Sequence, residues 1–257
     1  MPPRNIWTEK EMILALDLYF RLPFGRLNSS TPEVKELAVL IGRTNNSVAL
    51  RLVNYAACDP YIINSGRKGM PAGKKTCMPY WERFAENREE LFYLAAIYRA
   101  EYSKQTIEKE LHIMPKDFVG KEREAVIKQR VNQKAFHDMI FANYENRCAI
   151  TGINIPSLLI ASHIVPWADN VKERLNPANG ICLSALYDKA FDKGLIGIRP
   201  DDYSIILSKE LMSYNKEDFF KKHFLEIENK NIILPIEHEP QKEFLDYHIN
   251  NIFAKHN

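Results

Sequence analysis

Four polar residues in the second half of the sequence have types and spacing suited to acid–base chemistry. His163 stands at the end of a predicted strand, and its imidazole is suited to act as a general base because it titrates near neutral pH. Asn179 opens a second predicted strand. Asp188 and Asp192 lie four residues apart on a predicted helix, so their carboxylates share one face. The set combines a proton acceptor with hard oxygen groups.

These residues fall in an ordered set of short segments. From Arg147 the chain reads RCAITG, then INIPSLLIASHIVPW, NPANGICLSALYDKAFDKGLIGI and SIILS. The pattern predicts a strand ending at Ala161-Ser162-His163, a strand at 180–183 and a helix at 184–193. Over about residues 120–210 this strand–strand–helix unit resembles the HNH endonuclease family, in the branch found in restriction endonucleases.

The resemblance implies a ββα-metal fold with a role for each polar residue. It makes His163 the general base, and Asn179 the residue that orients His163 or its loop, or itself approaches the metal. It makes Asp188 and Asp192 the metal ligands. Two carboxylates and an amide oxygen are hard ligands, which favours Mg²⁺ or Mn²⁺ over Zn²⁺.

The implied function is a metal-dependent endonuclease that hydrolyses phosphodiester bonds of double-stranded DNA in restriction-type defence. Two positions depart from the family pattern: Ser162 stands where some relatives place an acidic ligand, and Tyr187 where many have histidine. They keep open a DNA-binding regulator with an inactive HNH unit. A further alternative is a modification-dependent nuclease whose N-terminal domain reads a modified base.

Residues 31–57 predict two short helices joined by a tight turn. Thr31-Pro32 begins the first helix, Gly42 ends it in a left-handed conformation, and the second begins at Thr44 or Asn45. The spacing of Ala38, Gly42 and Val48 resembles DNA-binding helix-turn-helix units; an ordinary helical hairpin is the alternative. The stretches WTEKE and IGRTNNSVALRL also resemble the leader domain often fused to HNH nucleases.

If this unit binds DNA, the second helix enters the major groove by its N-terminal end. A basic stretch without acids at 64–78 predicts a flexible loop that faces the phosphate backbone, or is simply solvated. The predicted DNA-contacting residues are Arg43, Asn45, Asn46, Ser47, Arg51, Arg67, Lys68, Lys74 and Lys75.

The net charge of +2 conceals an uneven distribution of charge. The first 80 residues hold 11 basic and 6 acidic side chains, whereas residues 136–257 hold 13 and 17. A basic front suits a polyanion and an acidic back suits a cation, although such charges also occur on ordinary solvated faces.

Composition limits the class of protein. A hydrophobic fraction of 46% over 257 residues is enough for a core, and no apolar run is long enough to span a bilayer. The start, MPPRNIWTEK, has no apolar signal core, so we expect a cytoplasmic protein without a membrane partner. Four cysteines without a C-x-x-C pair argue against a disulfide scaffold and a zinc knuckle.

We therefore predict an α+β protein with two domains. A mainly helical DNA-recognition domain is expected at 1–115, and an HNH nuclease domain at 120–257 with its core at about 144–210. The boundary is expected near residues 112–120, where Met114-Pro115-Lys116-Asp117 interrupts the helical pattern. Cutting both DNA strands with one site per chain favours a homodimer.

Overall fold

The computed structural model describes residues 6–111 and 120–256 and shows an α+β protein. The chain divides into two compact units, Met1–Ala135 and Phe136–Asn257. The predicted boundary at 112–120 falls largely on residues outside the described part of the chain. Among the described residues, no helix has the length and apolar character needed to cross a membrane.

The first unit is helical. Its helix α1 begins with a capping box, in which the Thr8 hydroxyl accepts from Glu11 N–H and the Glu11 carboxylate accepts from Thr8 N–H. Helix α1 is buried from Glu11 to Tyr19 and packs against the third and sixth helices, so it forms the centre of this unit. The helices are α1 (Glu9–Arg21), α2 (Pro32–Ile41), α3 (Asn45–Ala56), α4 (Pro60–Asn64), α5 (Lys74–Phe84), α6 (Arg88–Tyr102) and α7 (Ile107–Glu110).

Helices α2 and α3 form the predicted pair with a tight turn. Gly42 ends α2 in the left-handed region, at φ 67° and ψ 34°, where a residue without a Cβ is favoured. Thr44 caps α3, with its hydroxyl accepting from Ser47 N–H at 3.2 Å. Thr31 stands at the N-cap of α2 as predicted, but its hydroxyl donates to the Arg26 carbonyl instead of capping the helix.

The predicted loop at 64–78 is shorter than expected, because α5 begins at Lys74. Cys77 and Phe84 of α5 are fully buried, and α5 packs against α3. This packing outweighs the turn signal of the glycine and proline residues in the segment. Lys74 and Lys75 therefore lie in the first turn of a helix, while Arg67 and Lys68 remain in the loop.

Helix α8 (Lys121–Asn143) spans the division between the units. The second unit contains two antiparallel two-stranded sheets and several helices. Its elements are β1 (Leu159–His163), β2 (Gly180–Ser184), α9 (Ala185–Asp192), β3 (Ile196–Ile198), β4 (Ile205–Leu207), α10 (Lys209–Met212), α11 (Asp218–His223) and α12 (Lys242–Asn251).

The predicted strand–strand–helix order is confirmed at the sheet of β1 and β2. His163 pairs with Gly180 at one end of this sheet, and α9 follows β2 directly. All of β2 is buried, which explains its nearly continuous apolar sequence. A Cβ on Gly180 would collide with Cδ1 of Ile140 and with the Phe136 ring, so glycine lets β2 lie close to the end of α8.

Candidate active site

His163 is held in one orientation at the end of β1. Its ring stacks on Phe136 with centroids 3.6 Å apart and an interplanar angle of 12°, and it meets the edge of Trp167 at 5.4 Å. Its Nε2 lies 3.0 Å from the carbonyl oxygen of Arg174, in the connection between β1 and β2. The ring is therefore fixed by two aromatic contacts and one hydrogen bond.

These contacts also determine the protonation state of His163. A carbonyl oxygen can only accept, so Nε2 carries the hydrogen, and in the neutral ring the lone pair is on Nδ1. Burial lowers the pKa of His163, the carbonyl of Arg174 opposes the shift, and the positive charge of Arg174 adds to it. No described group hydrogen-bonds to Nδ1. The imidazole is thus neutral near pH 7, with an available proton-accepting nitrogen.

The Asn179 side chain holds in place the connection between β1 and β2, which contains the Arg174 carbonyl that binds His163. Its Oδ1 accepts from Val165 N–H at 2.8 Å, while its Nδ2 donates to the carbonyls of Val165 at 3.3 Å and Glu173 at 3.2 Å. Glu173 directly precedes Arg174, whose carbonyl binds His163. The side chain is 1% exposed. This geometry suits the expected orienting role and does not suit a direct approach to a metal ion.

Asp188 and Asp192 of α9 line the same pocket as His163. The pocket has a volume of about 470 Å³. Its walls come from β1, the start of the following loop, α9 and the C-terminal helix. The lining residues are Ile160, Ala161, Ser162, His163, Pro166, Trp167, Asp188, Lys189, Asp192, Lys193, His248 and Ile252.

The carboxylates of Asp188 and Asp192 are partly buried, and their burial disfavours the charged form of each. Burial raises the pKa of Asp188, against the smaller lowering effects of Ser162 and Lys189. Burial and the charge of Asp188 raise the pKa of Asp192. A divalent cation would relieve this cost, and carboxylate oxygens suit Mg²⁺ or Mn²⁺. Among the described residues, no group of three or more histidine, cysteine, aspartate or glutamate side chains is placed to hold a metal ion.

The two departures from the family pattern lie in different surroundings. Ser162 lines the pocket, and its buried Oγ, which has no hydrogen-bond partner among the described residues, is close enough to Asp188 to lower the pKa of that carboxyl. Tyr187 is buried beside Phe224, and its hydroxyl donates to the carbonyl of His223 at 2.7 Å. Tyr187 is not among the residues that line the pocket.

Arg43 and Arg51, two of the predicted DNA-contacting residues, lie against other side chains of the first unit. The guanidinium of Arg43 forms a two-nitrogen ion pair with Glu11, and only 6% of its side chain is exposed. Trp7 lies against both arginines, with its ring centroid 4.4 Å from Cζ of Arg43 and 4.8 Å from Cζ of Arg51. Because its charge is paired with a buried carboxylate, the structure favours a structural role for Arg43 over the expected contact with DNA.

The remaining predicted DNA contacts lie on the surface of the first unit. Asn45, Asn46 and Ser47 form the first turn of α3, with Asn46 exposed and the other two partly exposed. Arg67, Lys68 and Lys75 are exposed and Lys74 is partly exposed. The guanidinium of Arg67 lies 5.7 Å from the ring centroid of Phe24. These residues all belong to the first unit, whereas the pocket belongs to the second.

The sequence analysis did not identify four charged or aromatic residues of the pocket, Trp167, Lys189, Lys193 and His248. Lys189 and Lys193 follow the two aspartates directly, and their positive charges could attract a phosphate group. Both lysines follow an aspartate on a predicted helix, so the sequence alone could have identified them as residues of the site. Trp167 meets the His163 ring edge-on, a contact that its place in the sequence did not indicate. His248 lies in α12, far along the chain, where no motif marked it.

Comparison with known proteins agrees with this geometry. Residues 148–199 match the family model described as HNH endonuclease. The match contains β1, β2 and α9, and therefore His163, Asn179, Asp188 and Asp192. No curated protein matches the chain. The chain thus carries, at residues 148–199, a domain of the HNH endonuclease family.

Proposed function

We propose that the protein is a divalent-metal-dependent endonuclease that hydrolyses phosphodiester bonds of double-stranded DNA. One observation carries the proposal: His163, with its unprotonated Nδ1, lines the same pocket as the carboxylates of Asp188 and Asp192. Hydrolysis of a phosphodiester requires a base for water and stabilisation of negative charge, and this pocket offers groups for both.

In this proposal the residues of the chain have distinct tasks. His163 accepts a proton from the attacking water at Nδ1, while its Nε2–H stays bound to the Arg174 carbonyl. Asn179 keeps that carbonyl in place through the adjacent Glu173. Asp188 and Asp192 would hold Mg²⁺ or Mn²⁺. Such an ion stabilises negative charge on the phosphate and on the leaving oxygen.

The first unit is proposed to recognise DNA. Its support is the α2–α3 pair with a tight turn, together with the exposed basic side chains at Arg67, Lys68 and Lys75. A recognition unit joined to a nuclease unit suits restriction-type defence. We also propose a homodimer, since cutting both strands with one such pocket among the described residues of each chain favours two chains.

The structure weakens one reason for an inactive HNH unit. Tyr187 donates its hydroxyl to a backbone carbonyl outside the pocket, so it need not affect the chemistry. Ser162 does line the pocket, but Asp188 and Asp192 still offer two carboxylates there. We therefore favour an active nuclease over a regulator.

Cleavage of plasmid and of modified phage DNA in Mg²⁺ or Mn²⁺ tests the proposal. We expect wild-type protein to cut at least one substrate, EDTA to stop cutting, and added metal to restore it. His163→Ala should lower the rate by about 10²- to 10⁴-fold, the usual contribution of a general base, and leave DNA affinity unchanged. The matched control is His137→Ala, which removes an exposed histidine of the same unit.

The substrates separate the alternatives. Cutting of modified DNA alone would identify a modification-dependent nuclease, and binding without cutting of any DNA would identify a regulator. Full activity in His163→Ala, or undiminished cutting in EDTA, would refute the proposed mechanism.

A further inference from the structure

His248 enters the pocket from outside the segment that matches the HNH family. It lies on α12, is 1% exposed, and stacks on Phe191 with ring centroids 3.7 Å apart and an interplanar angle of 2°. Phe191 lies on α9 between the two aspartates of that helix. The C-terminal helix thus contributes one buried histidine to the wall formed by Asp188 and Asp192.

The hydrogen bonds of His248 leave one nitrogen without a partner. Its Nε2 lies 2.9 Å from the carbonyl oxygen of Phe191, so Nε2 carries the hydrogen. Nδ1 is buried and has no hydrogen-bond partner among the described residues. Burial lowers the pKa of His248 to about 4, although the Phe191 carbonyl opposes the shift. At neutral pH, Nδ1 is therefore a lone-pair acceptor.

The chemistry of a lone pair restricts what can satisfy it. A phosphate oxygen is itself an acceptor, so the substrate's anionic oxygens cannot bind Nδ1. A water molecule or a cation can. Since no three candidate ligands converge among the described residues, a cation held by Asp188 and Asp192 would retain part of its water shell, as Mg²⁺ usually does in proteins.

We propose that His248 is a positioning residue of the metal site, whose Nδ1 accepts a hydrogen bond from the water shell of the divalent ion held by Asp188 and Asp192. Its Nε2–H meanwhile holds the Phe191 carbonyl near the end of α9. The inference rests on the proposed function, because it requires a metal ion in this pocket. It assigns to the C-terminal helix a part in ion binding that the HNH segment does not contain.

Two substitutions separate the roles of the two nitrogens. The glutamine amide ends near the place of histidine Nε2, so His248→Gln can keep the bond to Phe191 and loses the acceptor at Nδ1. The asparagine amide ends near the place of Nδ1, so His248→Asn can keep an acceptor there and loses the bond to Phe191. A purely structural role for His248 predicts that Asn is the more harmful change, and the proposed role predicts that Gln is.

Calorimetric titration of the full chain with Mn²⁺ measures the difference. We expect His248→Gln to weaken Mn²⁺ binding by about 10- to 100-fold, the usual cost of losing an outer-shell partner, and His248→Asn to weaken it by less than about 10-fold. His137→Gln serves as the control and should match wild type. Circular dichroism and a cooperative thermal melting transition without metal should show folded protein in each case.

Wild-type Mn²⁺ affinity in His248→Gln, or a loss in His248→Asn as large as in His248→Gln, would overturn the role of His248 while leaving the nuclease proposal intact. If His248→Gln does not fold, His248→Asn tests the role of His248 instead. Retained Mn²⁺ binding in His248→Asn supports that role, and loss of binding overturns it. A wild-type protein that neither binds Mn²⁺ nor cuts DNA would refute the proposed function itself.

Discussion

At the scale of single residues, two histidines in the pocket share one hydrogen-bond arrangement. His163 and His248 each stack on a phenylalanine, and each donates Nε2–H to a backbone carbonyl. In both rings burial lowers the pKa, and the carbonyl fixes which nitrogen keeps the lone pair. The backbone carbonyls of Arg174 and Phe191 thus orient two neutral acceptors in one pocket.

The lowered pKa of His163 leads to a prediction about the pH dependence of cleavage. The base works when deprotonated, and burial keeps it so to lower pH than an ordinary histidine. We expect kcat/KM for DNA cleavage to fall on the acid side only below the usual histidine pKa. Trp167→Ala exposes the ring and should shift this fall towards higher pH. An acid limb at or above the usual value would contradict the burial argument.

At the scale of elements, buried contacts decide which basic side chains of the first unit remain exposed. Arg43 lies at the start of the α2–α3 turn, yet Glu11 of α1 holds it inside the first unit. Burial alone would raise the pKa of Glu11, but hydrogen bonds from Arg43 and Thr8 outweigh it and lower that pKa. The turn is therefore tied to α1 by charge, while Lys68 and Lys75 remain exposed.

We predict that removing the Arg43–Glu11 ion pair lowers the free energy of unfolding of the first unit and does not remove a contact with DNA. Arg43→Ala leaves a buried carboxylate without its cation, which typically costs about 3–5 kcal/mol. The matched control is Arg26→Ala, since the Arg26–Glu33 pair is much more exposed and is worth about 0–1 kcal/mol. Urea unfolding followed by circular dichroism measures both. Equal stability of the two variants would show that the Arg43 pair does not stabilise the unit.

The exposed basic residues predict a change in the salt dependence of DNA binding. Replacing Arg67, Lys68 and Lys75 together with alanine should weaken binding of any duplex sequence. If all three contact phosphates, the slope of log K against log salt becomes shallower by about 2.7, at about 0.9 per contact. Fluorescence anisotropy at several salt concentrations measures the slope. A control triple of exposed lysines in the second unit, Lys216, Lys222 and Lys230, should leave it unchanged.

At the scale of the whole molecule, the division of charge follows the division into units. The basic surplus lies in the first 80 residues, and the acidic surplus follows residue 135, where the second unit begins. The pocket carboxylates and the pocket lysines both belong to that second unit. The near-neutral total is therefore compatible with a unit that binds a polyanion and a unit that binds a cation.

The proposed homodimer predicts the mass of the complex on DNA. Sedimentation velocity with a duplex that the protein cuts should show two chains of 29.9 kDa per duplex, and cleavage should break both strands. A catalytically silent His163→Ala protein allows the measurement without cutting. One chain per duplex combined with double-strand breaks would refute the dimer.

The sequence determined the elements of the site with considerable accuracy. Short-range hydrophobic patterns placed β1, β2 and α9 within a few residues, because local periodicity reflects which face of each element is buried. The spacing of Asp188 and Asp192 placed both on one helix face, and both line the observed pocket. The beginning of α5 was misplaced, because burial of Cys77 and Phe84 outweighed local turn signals.

Only the tertiary structure decided how distant residues act on one another. In the structure Arg43 forms an ion pair with Glu11, and the Asn179 amide hydrogen-bonds to the loop between β1 and β2. His248 of the C-terminal helix lines the same pocket as the carboxylates of α9. These contacts join residues far apart along the chain. Their formation depends on how whole elements pack against one another. Local spacing and composition do not show which distant elements will pack together.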